Sequence, residues 1–303
     1  MLSAPKVWEA PLADFKNNDA LRAWLRIQPR EVSVALAARA ALRVLPILLT
    51  AERKGYMRDV VLPVFRAAAV SWAAAKYPAH ETELAAAAAA YAAYAAAAPA
   101  AADAYNAACA AGASYAAFAA DAAYAADAAA YAAAVAAQAA DAAYAAAAAA
   151  LAVRGDAAHA VDAAPFGFGH LVSAVRAAAA VSAAATARAA GSFFWSALSA
   201  DATRLEEGAT ASDIAGSPLW PNGQPGRLRS LWKVLEAGLV AEKQDWQVWT
   251  VWYDDRLAGR VREEKRELAY VRIADELWKQ GPAIVNARIK QRIEVCAPLV
   301  EGY

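Results

Sequence analysis

The sequence predicts an all-α protein, and three observations support that fold class. Alanine, which has the most favourable helix propensity, fills long runs between about residues 81 and 190. Elsewhere, apolar residues recur at the three- and four-residue spacing of an amphipathic helix. No strand-like alternation of any length appears in the sequence. We therefore expect an alanine-rich helical stack or bundle joined to a tryptophan-rich helical C-terminal part.

The N-terminal segment, residues 1–30, is expected to cap the helices that follow. It contains a short helix over about residues 19–27, which stops ahead of Pro29. A helix that begins at Glu31 should end or kink at Pro46, because proline cannot donate the backbone hydrogen bond that a helix interior requires.

An alanine-rich helical domain is predicted over residues 31–208. Within it, residues 114–153 form either one long helix or two or three stacked helices, and both arrangements remain open. On a helical wheel, Tyr124, Tyr131 and Val135 fall within about 40° of one another, so one aromatic seam runs along a surface of methyl groups. Alanine permits helix axes to approach towards the lower end of the usual range of about 8–10 Å. We expect thin helices that pack tightly and are pinned by occasional tyrosines.

The C-terminal third of the chain has a different composition. Residues 209–226 are rich in glycine and proline and predict a long ordered loop or a domain linker. The C-terminal part, residues 227–303, carries dense mixed charge, and seven of the ten tryptophans lie at or beyond position 195. One helix in this part should run from Asp245, as its N-cap, to Gly259, as its stop.

Charge and cysteine content limit the classes of function. Thirty basic and 30 acidic residues give a formal net charge of zero, so the sequence offers no global electrostatic case for nucleic acid or a membrane surface. Cys109 and Cys296 lie far apart without metal-binding spacing, which suits a reducing cytoplasm. The N-terminus lacks the apolar segment of a signal peptide. The uncharged run at residues 84–102 is long enough to span a membrane, but its many single methyl groups and Pro99 argue against a span.

The break between alanine runs at residues 155–170 holds the main candidate for chemistry. Asp156 and His159 can share one helix face, with Asp162 nearby, which resembles a partial metal site. Asp156 and His159 together with His170 are the candidate catalytic residues of a helical enzyme. Asp156 follows a glycine and is more simply a helix cap. No nucleotide-binding, metalloprotease or nucleophile motif occurs. We expect no metal and no cofactor.

Two charged clusters in the C-terminal part are interpreted as solvated. Asp254 and Asp255 precede Arg256, but adjacent residues on a helix diverge by about 100° and do not form a convergent acid pair. The run REEKRE at residues 262–267 is expected to be an exposed helix face with i, i+4 pairing.

Aromatic residues provide the candidate contacts with a partner. The tryptophan stripe of the C-terminal part is interpreted as core, with a binding platform as the alternative, since tryptophan is also enriched at the centres of interfaces. Other aromatic residues are predicted to touch a protein partner where their face is exposed. They are Trp220 in the loop, and Tyr115, Phe118, Tyr124 and Tyr131 in the alanine-rich region.

Two stretches within residues 32–77, VSVALAARAALRVLPILL and VLPVFRAAAVSWAAAKYP, are followed by alanine runs broken by aromatic residues. Over about residues 31–190, this arrangement resembles the alanine-rich immunity proteins of bacterial toxin systems. The resemblance implies no catalytic residue. The motif W-x-x-W-x-x-W-Y at residues 246–253 and the sequence WKQGPAIVN at 278–286 resemble a C-terminal segment of uncharacterised bacterial proteins, and that resemblance implies no function.

Together these features predict a cytoplasmic, non-enzymatic helical binding or scaffold protein, with an immunity or defence-associated role as the finer hypothesis. It would act by occluding a protein partner with a helical surface. Two alternatives remain open, namely a helical enzyme with a site at residues 155–170 and a structural protein that self-assembles through its alanine faces. Neither nucleic acid nor a membrane is expected as a partner.

Overall fold

A computed structural model describes a little over half of the chain. The described residues are 13–47, 57–80, 127, 129–130, 132–134 and 193–296. Helix accounts for 74% of them and no strand occurs among them, so the predicted all-α class is confirmed. No helix within these ranges combines the length and the apolar composition that a membrane crossing requires. Of residues 114–153, the structure describes only 127, 129–130 and 132–134, so the number of helices across this stretch stays a prediction.

The helices are labelled in chain order. The first four are α1 (Asn18–Leu25), α2 (Arg30–Val44), α3 (Leu62–Lys76) and α4, whose described part is residues 193–206. The next three are α5 (Ala211–Ala215), α6 (Gly226–Ala241) and α7 (Gln247–Ala258). The last three are α8 (Glu264–Leu268), α9 (Asp275–Trp278) and α10 (Pro282–Cys296). Short 3-10 turns occur at Leu45–Ile47 and Pro78–His80, and a π-helical turn, Met57–Val61, leads into α3.

The ends of the N-terminal helices follow the local sequence. Asn17 caps α1, because its side-chain oxygen accepts a hydrogen bond from the backbone amide of Ala20 (3.0 Å). α2 ends at the 3-10 turn that contains Pro46, as predicted, and α3 ends just before Pro78. Proline interrupts the backbone hydrogen bonding of a helix, so the sequence alone sets these two ends.

α2 lies at the centre of the described structure. Every residue of α2 from Val32 to Val44 is buried, and the helix packs against α3 and α5. Alanine alternates with larger residues along α2, so neighbouring helices can approach its backbone closely. Because the helix is enclosed on all sides, even Arg39 and Arg43 are buried, and this stretch of α2 has no solvent-exposed polar face.

The described helical residues of the alanine-rich region, 127, 129–130 and 132–134, contribute buried alanines to the core. These buried alanines belong to a hydrophobic cluster that also contains residues of α1, α2 and α4. They are Ala129, Ala130, Ala132 and Ala133. Phe194 and Leu198 of α4 supply larger side chains to the same cluster. These alanines therefore belong to a core shared with α1, α2 and α4.

The larger hydrophobic cluster joins the N-terminal helices to the C-terminal part. It contains residues of α2 and α3 together with tryptophans of α6 and α7. Trp72 of α3 packs edge-to-face against Trp252 of α7, with ring centroids 6.3 Å apart. The hydroxyl of Tyr253 in α7 donates a hydrogen bond to the carbonyl of Leu42 in α2 (3.0 Å). α7 is thus part of one core with the N-terminal helices.

α7 carries the tryptophan stripe. Trp246 and Trp249 are both 0% exposed, which confirms the interpretation of these residues as core. The helix ends as predicted at Gly259, whose φ is +67°. The predicted N-cap at Asp245 is wrong, because Trp246 occupies that position and Asp245 has a φ of +54° rather than the extended backbone of a capping residue. The carboxylate of Asp245 instead binds Lys290 of α10 (2.8 Å).

The segment at residues 209–226 is an ordered loop held against α2. It contains α5, which opens with a capping box formed by Thr210 and Asp213. The guanidinium group of Arg39 in α2 donates hydrogen bonds to backbone carbonyls of this loop. The accepting carbonyls belong to Ile214, Ser217, Pro218 and Leu219.

Two arginines and one carboxylate are buried beneath that loop. Asp201 of α4 accepts hydrogen bonds from Nε of Arg39 (2.7 Å) and Nη2 of Arg43 (2.6 Å), and all three side chains are at most 3% exposed. The second positive charge is offset by backbone carbonyls such as that of Leu219, which lies 3.0 Å from Nε of Arg43. Burial lowers the pKa of Arg43 to about 10, although Asp201 acts in the opposite direction.

Candidate functional site

The inner face of α10 is fixed to the tryptophan core. Val285 and Ile289 on this face are both 0% exposed. Between them, the side chain of Asn286 accepts a hydrogen bond from the indole nitrogen of Trp249 and donates one to the backbone carbonyl of Gln244, each at 2.8 Å. Because this buried amide uses its donor and its acceptor in defined directions, it fixes the rotation of α10 about its axis.

An open groove lies between α10 and the chain that runs from α8 into the following turn. Its volume is about 460 Å³. The described residues that line it are Lys265, Ala269 and Arg272 on one wall, and Arg288, Gln291, Arg292, Val295 and Cys296 on the other. The stripe at positions 288, 291, 292 and 295 has the spacing of a single helix face. We call this feature the α8/α10 groove.

The described lining of the α8/α10 groove is basic. Four of these residues are Lys or Arg, and none is Asp or Glu. Among the described residues, no carboxylate forms an ion pair with Lys265, Arg288 or Arg292. Arg288 donates a hydrogen bond to the side-chain oxygen of Gln291, which is uncharged and leaves the guanidinium charge uncompensated. A concave surface lined by one sign of charge raises the local concentration of ions of the opposite sign.

Apolar surface lies between these charges. Ala269, Val295 and Cys296 contribute to the lining, and Val295 is 81% exposed. At the other end, Nη2 of Arg272 lies 3.3 Å from Nδ1 of His80, whose Nε2 is 2.7 Å from a carboxylate oxygen of Glu264. The groove therefore combines the exposed side chain of Val295 and the partly exposed Cys296 with basic edges.

A second groove of about 440 Å³ lies on the other flank of α10, next to α7. Its apolar lining includes Val248, Val251 and Ile293. Its charged lining residues are two acidic and two basic ones, namely Asp245, Glu294, Arg266 and Lys290. α10 thus forms a ridge between a basic groove and a groove with no net charge among its described residues.

A buried ion pair holds α8 in position. Glu267 of α8 accepts hydrogen bonds from both terminal nitrogens of Arg256 in α7, at 2.7 and 3.0 Å, and the two side chains are at most 2% exposed. The guanidinium carbon of Arg256 lies 3.8 Å from the ring centroid of Trp72. The predicted solvation of Arg256 and of Glu267, in the run at residues 262–267, is therefore wrong, because this side of α7 faces the core.

The two neighbouring carboxylates of α7 have separate partners. Asp255 is 3% exposed, contrary to the prediction, and accepts hydrogen bonds from Arg260 (2.7 Å) and Arg262 (2.8 Å). Burial acts to raise the pKa of Asp255, but the hydrogen bonds from Arg262 and Arg260 outweigh it and hold that pKa below its usual value. Asp254 binds the indole nitrogen of Trp232 (2.8 Å), and burial raises the pKa of Asp254. The two carboxylates diverge, as the helical geometry predicts.

Trp220 is a core residue rather than an exposed contact. It is 6% exposed, and the guanidinium carbon of Arg43 lies 5.4 Å from the ring centroid. This burial corrects the expectation that Trp220 projects from its loop towards a partner. The physical reason is that the carbonyl groups of the loop bind Arg39 and Arg43, so the loop folds back onto α2 and the indole points inward.

The remaining candidate residues lie outside the described parts of the chain. The predicted contacts among them are Tyr115, Phe118, Tyr124 and Tyr131, and the alternative catalytic residues are Asp156, His159 and His170. Their proposed roles stay predictions. Within the described ranges, no group of three or more His, Cys, Asp or Glu side chains is placed to hold a metal ion.

The α8/α10 groove was not predicted from the sequence. A partial signal is present, because Arg288, Arg292 and Val295 share one helix face and Lys265 and Arg272 lie seven residues apart. Each stripe resembles an ordinary solvated helix face when it is considered alone. Only the packing of α8 beside α10 turns the two stripes towards one space.

Comparisons with known proteins give no relative from which a function could be transferred. No protein-family model matches the chain, and no curated protein or solved structure matches it either.

Proposed function

We propose that this chain is a non-enzymatic helical binding protein that holds a protein partner on the α10 ridge. The observation that carries the proposal is the setting of α10. Its inner face is anchored in the core by Val285 and Ile289, while both of its flanks border open grooves. Concave surfaces of mixed apolar and polar character are the usual places where proteins bind ligands and partners.

The anchoring of α10 favours binding because the surface exists before a partner arrives. The hydrogen bonds of Asn286 to Trp249 and Gln244 leave little freedom of α10 to be lost when a complex forms. The ridge also exposes apolar side chains, with Val295 81% and Ile284 44% exposed. Apolar anchors surrounded by charged residues are the composition of a typical protein interface.

The charged residues that the sequence offers as possible chemistry in α7 have structural partners. Asp255 binds two arginines, and Arg256 binds Glu267 inside the core. These contacts position α8 and the wall of the α8/α10 groove, which supports a binding role for this part of the chain.

The finer hypothesis of an immunity or defence-associated role rests on the resemblance of residues 31–190 alone. In that case the partner is a bacterial toxin, and the complex forms in the cytoplasm. A captured partner that stops bacterial growth when it is expressed alone, and does not when this chain is expressed with it, would support this role.

The proposal is tested by capture of the tagged full-length protein from its native host, followed by identification of any protein present in near-stoichiometric amount. The test variant is Val295→Asp, which places a charge on the exposed ridge. The matched control is Val234→Asp on α6, where the valine is 63% exposed and away from both grooves. We expect one partner that the wild type and the control retain and that Val295→Asp loses.

Two results would contradict the proposal. One is the lack of any stoichiometric partner for the wild-type protein. The other is a partner that Val295→Asp and a second ridge variant, Ile284→Asp, both retain at wild-type level, because such a partner does not use α10. Circular dichroism of each variant verifies that the helical content is unchanged.

A further inference from the structure

The chemistry of the α8/α10 groove specifies the kind of partner segment that fits it, an inference that rests on the proposed function. We infer that this groove binds one amphipathic helix of a protein partner. The bound helix places apolar side chains against Val295 and Cys296 and carries Asp or Glu along its edges, facing the arginines of α10.

The shape of the groove matches a helix. One wall is the α10 stripe from Arg288 to Val295, and the other contains Lys265, Ala269 and Arg272 at intervals of four and three residues. The α10 stripe forms a helical ridge along one side of the groove, and the side chains of a bound helix can pack against it. The α10 stripe covers seven residue steps, or about 10 Å, so it contacts about two turns of the bound helix.

The charges of the groove select acidic edges on that helix. Lys265, Arg288 and Arg292 present positive charge without a carboxylate partner among the described residues. Carboxylates at the edges of a bound helix would form charge-assisted hydrogen bonds with these groups, and the guanidinium groups can bind them in a bidentate manner. The second groove offers no such selection, since its described charges balance and Lys290 already binds Asp245.

The same features favour a protein segment over other anions. The described lining of the groove contains no aromatic side chain on which nucleic-acid bases could stack, and the chain has no net positive charge. A flat anionic lipid surface would meet the rims of the groove and leave its interior unfilled. The groove is open to solvent, so a small molecule would stay largely in water, whereas a helix also covers the rims.

The test measures binding of the full-length protein to a fluorescein-labelled helical peptide of about 18 residues, which spans five turns, by fluorescence anisotropy. The probe carries Leu on one face and Glu along both edges. A permuted peptide of the same composition scatters the Leu residues around the helix, and a third peptide replaces Glu with Lys. We expect micromolar binding of the first probe, at least about tenfold weaker binding of the permuted peptide, and no binding of the lysine peptide.

The matched variants reverse two charges in different places. The double variant Arg288→Glu/Arg292→Glu alters the groove, whereas Arg227→Glu/Arg229→Glu alters two exposed arginines of α6 by the same net charge. We expect the groove variant to bind the acidic probe at least about tenfold more weakly and the α6 variant to bind it within about twofold of wild type, because attraction between exposed charges is local at physiological salt. Val295→Asn should also weaken binding, and Val234→Asn should not.

Several results would overturn the inference. One is equal binding of the acidic and permuted peptides, and another is equal weakening of binding by both double variants. A third is a single-stranded oligonucleotide or phosphatidylserine vesicles that bind more tightly than the acidic probe. A fourth is no binding of the acidic probe up to about 1 mM. Capture from the native host with the same double variants separates the two proposals. A partner that the groove variant retains but that Val295→Asp loses supports the proposed function and overturns the acidic-helix inference. A chain that captures no partner overturns the proposed function, whatever the peptide result.

Discussion

At the scale of single residues, Asp201 determines whether the buried charges beneath the loop are tolerated. It provides the carboxylate that binds both Arg39 and Arg43. Those arginines also bind the carbonyl groups that hold the loop against α2. Neither buried arginine can move to water without breaking its hydrogen bonds to the loop. The positive charges therefore stay buried, and Asp201 must compensate them.

We expect Asp201→Asn to lower the free energy of unfolding by about 3–5 kcal/mol, because it leaves two buried guanidinium groups without a counter-charge while it preserves the shape of the side chain. Urea denaturation followed by circular dichroism measures the change. Glu207→Gln, at an exposed position beyond the end of α4, is the control and should stay within about 0.5 kcal/mol of wild type. Equal midpoints for Asp201→Asn and wild type would show that the carboxylate does not compensate the arginines.

At the scale of elements, the glycine that ends α7 and a glycine inside α6 differ in whether the position requires glycine. Gly259 ends α7 with a φ of +67°, and a Cβ atom placed there would lie 2.4 Å from the backbone nitrogen of Pro218. Gly238 lies inside α6, and a Cβ atom there would meet no atom within 4 Å. The first position requires glycine for its conformation and for the close approach of the loop, whereas the second does not.

Alanine substitution should therefore change stability in opposite directions at the two sites. Gly259→Ala should lower the free energy of unfolding by at least about 2 kcal/mol, since it adds left-handed strain to a backbone clash. Gly238→Ala should raise it by about 0.5–1 kcal/mol, since it improves helix propensity without a steric conflict. Parallel urea titrations measure both changes, and a loss of stability in Gly238→Ala would indicate that α6 is packed at that position.

At the scale of the whole molecule, the described helices share a core across large sequence separations. Trp72 of α3 donates a hydrogen bond to the carbonyl of Ala215 in α5 (2.8 Å) and packs against Trp252 of α7. It also lies beneath Arg256, which fixes α8 through Glu267. The wall of the α8/α10 groove thus depends on a residue in the N-terminal part.

Trp72→Ala should lower the free energy of unfolding by about 3–5 kcal/mol, and the loss should be shared by α3 and α7. Amide hydrogen exchange measures this distribution, and the slowest amides of both helices should exchange faster by a similar factor. Phe193→Ala, at a residue that is 55% exposed, is the control and should leave exchange in α7 unchanged. Faster exchange in α3 alone would show that the two parts of the chain unfold independently.

The sequence by itself determined the fold class and several helix boundaries. Pro46, Pro78 and Gly259 end helices where their own backbone chemistry requires it, and no tertiary contact is needed to explain them. The inward orientation of Trp246 and Trp249 was likewise predictable, because their helical spacing defines one apolar stripe.

Tertiary structure decided which polar and aromatic residues are buried. Asp255, Arg256 and Glu267 look like solvated charges in the sequence, and Trp220 looks like an exposed loop residue, yet all four are buried. Their burial depends on partners from 5 to 177 residues away, as in the pairs Asp255–Arg260 and Trp220–Arg43. Periodicity shows which face a residue occupies but not which distant group meets that face. The α8/α10 groove has the same origin, since two ordinary basic stripes line one groove only because α8 packs beside α10.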